Sequence, residues 1–166
     1  MAAGSTYTPI ATTTLGSAQS SVTFSSLGSY TDIIAVLDLA AVASQSYYCL
    51  MRFNSDSGTN YSYTNLNGNN TSAISDRGSN TTGIYTSYAQ ITNPDRVISN
   101  VHIQNYSNST TYKTALVRSN AVGQNSASAM VELWRSTAAV TSISFHTSAN
   151  QFATGSIFTL YGIAAA

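Results

Sequence analysis

The sequence predicts an all-β fold, an antiparallel β-sandwich of jelly-roll-like form with about eight or nine strands. Three observations carry this reading. Ser, Thr, Asn and Gly dominate, and the strong helix formers Glu, Lys, Arg and Gln are scarce. Short segments alternate apolar and polar residues with the two-residue period of a strand. Turn-forming clusters separate them at the spacing typical of sandwiches.

The elements follow in order. Residues 1–20 are rich in Thr, Ser and Gly, with apolar punctuation at Ile10 and Leu15, and read as an arm or an edge strand. The single sandwich domain is expected over 21–166. Ser21-Val22-Thr23-Phe24 is a short alternating strand closed by the turn Leu27-Gly28-Ser29. From Thr31 to Ala40, Ile33, Ala35, Leu37 and Leu39 share one face, and Asp32, Ile34, Val36 and Asp38 share the other. A helix is the rival reading for Asp32 to Ala43, but β-branched residues and nearby turns favour a strand. From Ser46 to Phe53, Tyr47, Cys49, Met51 and Phe53 alternate against Tyr48, Leu50 and Arg52. Turns at Asn54–Gly58 and Asn67–Asn70 bracket a strand from Tyr61 to Leu66, and Ser75–Gly83 reads as a long exposed loop. A short apolar stretch, Ile84–Ile91, precedes the turn Asn93-Pro94-Asp95. Strands are then expected at Val97–Gln104, Tyr112–Arg118, Ala129–Arg135, Val140–Phe145 and Ser156–Ile163.

Composition narrows the function classes. The chain has 166 residues, 43% of them hydrophobic, enough for a real core. Only 7% are charged and the formal net charge is zero. A surface so poor in charge does little to keep copies apart, which suits a protein that lives assembled. The same neutrality argues against nucleic-acid binding, which needs a basic stripe to displace counterions. The lone Cys49 rules out an internal disulfide and reads as a small buried hydrophobe. No apolar run reaches the ~20 residues of a membrane span, and no basic, apolar leader is visible at the start. Synthesis and assembly in a cytoplasm are expected.

A search for chemistry finds little. The chain has no Gly-x-Ser-x-Gly, no P-loop and no His-Glu-x-x-His. His102 and His146 each sit in alternating strand sequence and read as structural. The six acids offer no evident pair for glycoside hydrolysis. No catalytic residue and no cofactor are expected. Asn54, Asp56 and Asn60 place side-chain oxygens at alternate positions around Gly58, faintly like a calcium loop. The competing and preferred reading is a hairpin turn in which Asn and Asp bond their own backbone and Gly58 takes positive φ. Tyr61, Tyr63, Tyr85 and Tyr88 cluster in the middle of the chain, where they could serve core, protein interface or sugar stacking.

One pattern extends further. Arg52-Phe53-Asn54-Ser55-Asp56-Ser57-Gly58-Thr59-Asn60-Tyr61 resembles small virion proteins of tailed phages, especially those of cyanobacteria and other aquatic bacteria. The stretch from Thr12 to Phe24, the segment Ser29-Tyr30-Thr31-Asp32 and the closing Phe152–Ile163 are similar to them as well. The resemblance implies a β-sandwich or jelly roll with a structural role on the phage particle, and no catalytic residues.

The function expected from this is a capsid decoration (cement) protein, a homotrimer that binds the major capsid protein on the outer shell and stabilises it. Tyr7, Ile10 and Leu15 of the N-terminal segment are the expected clamp, by strand addition. The alternative is a tail or fibre receptor-binding protein. Its loop tyrosines and amides would recognise a host surface glycan.

Overall fold

The computed structural model describes residues 6–42 and 46–164. Among them lie twelve strands and one short 3-10 turn: β1 (Tyr7–Thr14), β2 (Ser21–Ser25), β3 (Asp32–Ala40), β4 (Cys49–Phe53), β5 (Tyr61–Gly68), β6 (Ala73–Thr81), β7 (Ile84–Tyr85), β8 (Arg96–Ile103), β9 (Lys113–Ala121), the 3-10 turn Val122–Gln124, β10 (Ser126–Trp134), β11 (Ser142–Thr147) and β12 (Ile157–Ile163). They form two antiparallel sheets. The larger has eight strands in the order β1-β12-β3-β8-β9-β10-β5-β6, and the smaller has four in the order β2-β11-β4-β7.

Alternation in the sequence decides which side of each strand is buried. In β3, Ile33, Ala35, Leu37 and Leu39 are fully buried, as their common face predicts. Removing each of the larger three from water is worth about 1.5–3 kcal/mol. Tyr47, Cys49, Met51 and Phe53 supply the facing layer from the small sheet and its approach. Between the sheets Phe145, Phe152 and Phe158 interlock, with ring centroids 5.5 and 5.1 Å apart. In place of the rival helix over Asp32–Ala43, the chain forms strand from Asp32 to Ala40.

Eight strands pair in a nested series. β1 pairs with β12, β2 with β11, β3 with β8, and β4 with β7. The remaining four strands are two hairpins, β5–β6 and β9–β10, which complete the large sheet. β7 and the segment after it pack on the inner face of β5, β9 and β10. There the Ser119 hydroxyl meets Ser128 at 2.6 Å and donates to Ser87 at 3.1 Å, and the Tyr85 amide donates to Glu132 Oε1 at 3.2 Å.

Several sequence expectations need correction. The described residues form twelve strands rather than eight or nine. The expected loop at Ser75–Gly83 is mostly strand β6, the outer edge of the large sheet. Its residues are largely exposed, so no apolar alternation announces it. The stretch Ile84–Ile91 contains only the two-residue β7. Within 1–20, β1 is an edge strand built into the sandwich rather than a free arm. Pro9 lies within it, as suits a strand that has one unpaired edge. At Leu27-Gly28-Ser29 the chain bends: Gly28 takes φ +77° and its carbonyl accepts the Tyr106 hydroxyl at 2.7 Å.

Candidate association surface

The outward face of the large sheet carries a groove of about 800 Å³. Cross-strand register builds it in rows. One row runs Pro9, Tyr161, Ile34, His102, Leu116, Val131, Thr64 and Arg77 across all eight strands. The next runs Thr12, Thr159, Val36, Asn100, Arg118, Ala129, Leu66 and Ser75. Tyr7 and Ile163 close one end.

The centre of this face is apolar where a solvated sheet face is ordinarily polar. Leu66 is 62% exposed, Val131 53% and Leu116 40%, and Ile34 and Val36 line the same groove. Continuous apolar exposure of this kind marks an interaction surface. Eight strands about 4.8 Å apart and about 26 Å long give a flat footprint of roughly 900 Å², against roughly 800 Å² per partner in a standard interface.

Charge on this face is partly paired off. His102 Nε2 lies 2.7 Å from Asp32 Oδ2, and Arg96 binds Asp38. Arg118 and Arg77 have no side-chain partner among the described residues. The face thus combines exposed apolar area with arginine charge that no side chain of the described residues neutralises.

The expected clamp residues divide. Tyr7 is 53% exposed and lines the groove. Ile10 packs partly against the core and Leu15 is buried in it, so neither is free to clamp a partner. Sequence proximity grouped them, but alternation along β1 turns Tyr7 outward, and Leu15 follows the strand into the sandwich.

The expected loop tyrosines divide too. Tyr61 is fully buried, stacks on Trp134 and donates its hydroxyl to the Asp56 carbonyl at 3.1 Å. It is a core residue, not a contact residue. Tyr63 and Tyr85 are partly buried and meet edge to face at 5.4 Å, and Tyr85 meets Tyr48 in the same way at 5.2 Å. The Tyr63 hydroxyl donates to Asp76 at 3.1 Å, and burial together with that carboxylate raises its pKa to about 12. Tyr88 is partly buried against the core and borders a cleft of about 220 Å³ with Tyr48, Asn67, Gln90 and Gln124.

At the candidate calcium turn the oxygens are engaged by protein donors. Asp56 Oδ1 accepts the Gly58 amide at 2.8 Å, and Oδ2 accepts Asn60 at 2.9 Å and the Trp134 indole at 2.7 Å. Burial pushes this carboxyl up, but these three donors and the nearby Arg52 outweigh it and hold the group below the usual aspartate range. Asn54 faces elsewhere: its Oδ1 accepts the Thr141 and Ser142 amides at 2.8 and 3.2 Å. Positive φ falls on Asn54 and Ser55 rather than on Gly58. Among the described residues no group of three or more His, Cys, Asp or Glu side chains is placed to hold a metal ion.

The other titratable groups are structural in their surroundings. Cys49 is buried and its thiol is pushed up to about 12. His146 sits 2.8 Å from Ser144, and burial with the nearby Arg52 lowers its pKa. Glu132 is fully buried, its Oε2 has no protein partner, and burial raises its pKa to about 9.

Sequence reasoning missed Leu66, Leu116, Val131 and Arg118. The available signal was an apolar residue on the otherwise polar side of a strand, as at Leu116 and Val131. Compared with protein-family models, curated proteins and solved structures, the chain finds no match in any of the three.

Proposed function

We propose that this chain is a non-enzymatic structural protein of a tailed-phage virion, a capsid decoration protein that assembles as a homotrimer and binds the major capsid protein on the outer shell. The observation that carries the assembly part is the apolar groove on the outer face of the large sheet. The phage assignment comes from the resemblance of Arg52–Tyr61 and the chain ends to small virion proteins. We further infer a jelly roll enlarged by two inserted hairpins, because eight strands pair first with last in a nested series. Jelly rolls recur in viral capsid and lectin domains. The one acid with a strongly raised pKa, Glu132, lies between the layers and away from any groove. That placement favours docking over catalysis.

The mechanism is mechanical. A rigid sandwich bridging neighbouring capsomers buries apolar area at every symmetry-related contact, and the sum resists outward pressure from packaged DNA. Antibody labelling of purified particles, viewed by electron microscopy, tests the reading. Dense label over the head supports it, and label confined to the tail overturns it.

A receptor-binding role is the second reading, and one observation favours it. The 220 Å³ cleft combines two tyrosines with amide side chains and no charge, which suits an uncharged sugar. Specific binding on a glycan array, together with tail labelling, would establish this alternative.

A further inference from the structure

The geometry points to a second copy of this chain as the occupant of the groove, held by the tip of the β9–β10 hairpin in a head-to-tail contact. This rests on the assembly reading above and names the contact; the location of the protein on a particle does not depend on it.

The hairpin tip is built as a knob. Val122, in the 3-10 turn, is 72% exposed, the most exposed of the large hydrophobics. Asp95, one residue before β8, lies against the same tip: a Cβ on Gly123 would collide with its carboxylate, so glycine there lets the acid pack onto the turn. Asp95 is also the one acid among the described residues that is neither buried nor bonded. Asp32, Asp38, Asp56 and Asp76 have partners, and Glu132 is buried.

The groove is the counterpart. It offers apolar Leu116, Val131 and Leu66, with Arg118 among them and without a side-chain partner. An exposed apolar knob beside an unpaired acid thus matches an apolar groove beside an unpaired arginine.

One copy cannot satisfy itself. Arg118 and Val122 lie on one extended hairpin arm, so the tip projects about 13 Å beyond the arginine. A contact between unlike patches is heterologous, and a heterologous contact closes into a ring when its rotation allows. A ring of three agrees with the expected trimer. Two concave faces set against each other would leave a void between them, so the face-to-face dimer is the poorer fit.

Sedimentation velocity of the full chain tests this, with Val122→Asp and Leu116→Asp as single variants. Both positions are exposed, so circular dichroism should show the native fold. The wild type is expected as a closed oligomer and each variant as a monomer. An equimolar mixture should then recover one-to-one dimers, because one variant keeps its groove and the other its tip. Arg118→Asp and Asp95→Arg should each weaken assembly at least tenfold, and the double swap should restore most of it. A wild type that stays monomeric at 100 µM, variants that still assemble, or a mixture that remains monomeric would each overturn the proposal.

Discussion

Trp134 donates its indole N–H to Asp56 Oδ2 at 2.7 Å, tying the end of β10 to the turn that follows β4. The same turn is fastened from below by Tyr61, whose hydroxyl accepts the Phe53 amide and donates to the Asp56 carbonyl. The turn after β4 is therefore a structural corner that joins the two sheets.

Replacing Asp56 with Ala removes the acceptor for Trp134, Asn60 and Gly58 together. The expected loss is about 2–4 kcal/mol, since hydrogen bonds to a charged group are worth about 1.5–3 kcal/mol and the indole is left buried without a partner. Urea unfolding followed by tryptophan emission measures it, with Trp134 the only tryptophan. Because the carboxyl sits below its usual range, its contribution is present above the unfolded pKa and fades as pH falls through the folded one.

Asn54 separates backbone strain from side-chain bonding. Its φ is 51°, and its Oδ1 holds the Thr141 and Ser142 amides. Asn54→Ala should lose about 2–4 kcal/mol from both causes. Asn54→Gly relieves the strain and should recover about 1 kcal/mol of that. Equal losses in the two variants would assign the whole effect to the hydrogen bonds.

Glu132 should make stability fall with rising pH. Its folded pKa of about 9 lies above the ordinary 4.5, so its contribution is complete below pH 4.5 and drains away toward pH 9. The slope is about 1.4 kcal/mol per pH unit for this group. Glu132→Gln should remove that slope and be more stable than wild type at pH 8. Unfolding curves at pH 5, 7 and 8.5 provide the check, and an unchanged slope in the variant would show that another group carries it.

Cys49 should be silent toward Ellman's reagent in the native protein. It is fully buried and its thiol is pushed up to about 12, so the reactive thiolate is scarce as well as inaccessible. Labelling should appear only with unfolding. Fast labelling under native conditions would mean that the Tyr47–Phe53 region opens locally.

Leu66→Lys and Val131→Lys should leave stability within about 0.5 kcal/mol, because both side chains are largely exposed in the described chain. Association through the groove should nevertheless drop. Thermal unfolding alongside light scattering distinguishes these effects; a large loss of stability would reassign the residues to the core.

Much of the fold was legible because it rests on period-two burial. β3, β4, β8 and β12 alternate strongly, and in β3 and β4 the residues grouped on one face by the sequence are buried together. β6 was illegible because Ala73–Thr81 is exposed along nearly its whole length, so neither face carries an apolar signature. Tyr61 was misread for a related reason: composition cannot tell a buried tyrosine with two backbone partners from an exposed one.

Alternation, turn chemistry and scarcity of charge determine, from the sequence alone, that this chain is a β-sandwich and which residues of its core strands share a face. Those properties depend on neighbours along the chain. Which strands stand side by side depends on pairings between distant segments, such as β1 with β12. Only the folded chain could therefore align Tyr161, Ile34, Leu116 and Val131 in one row, or leave Arg118 and Asp95 each without a side-chain partner among the described residues.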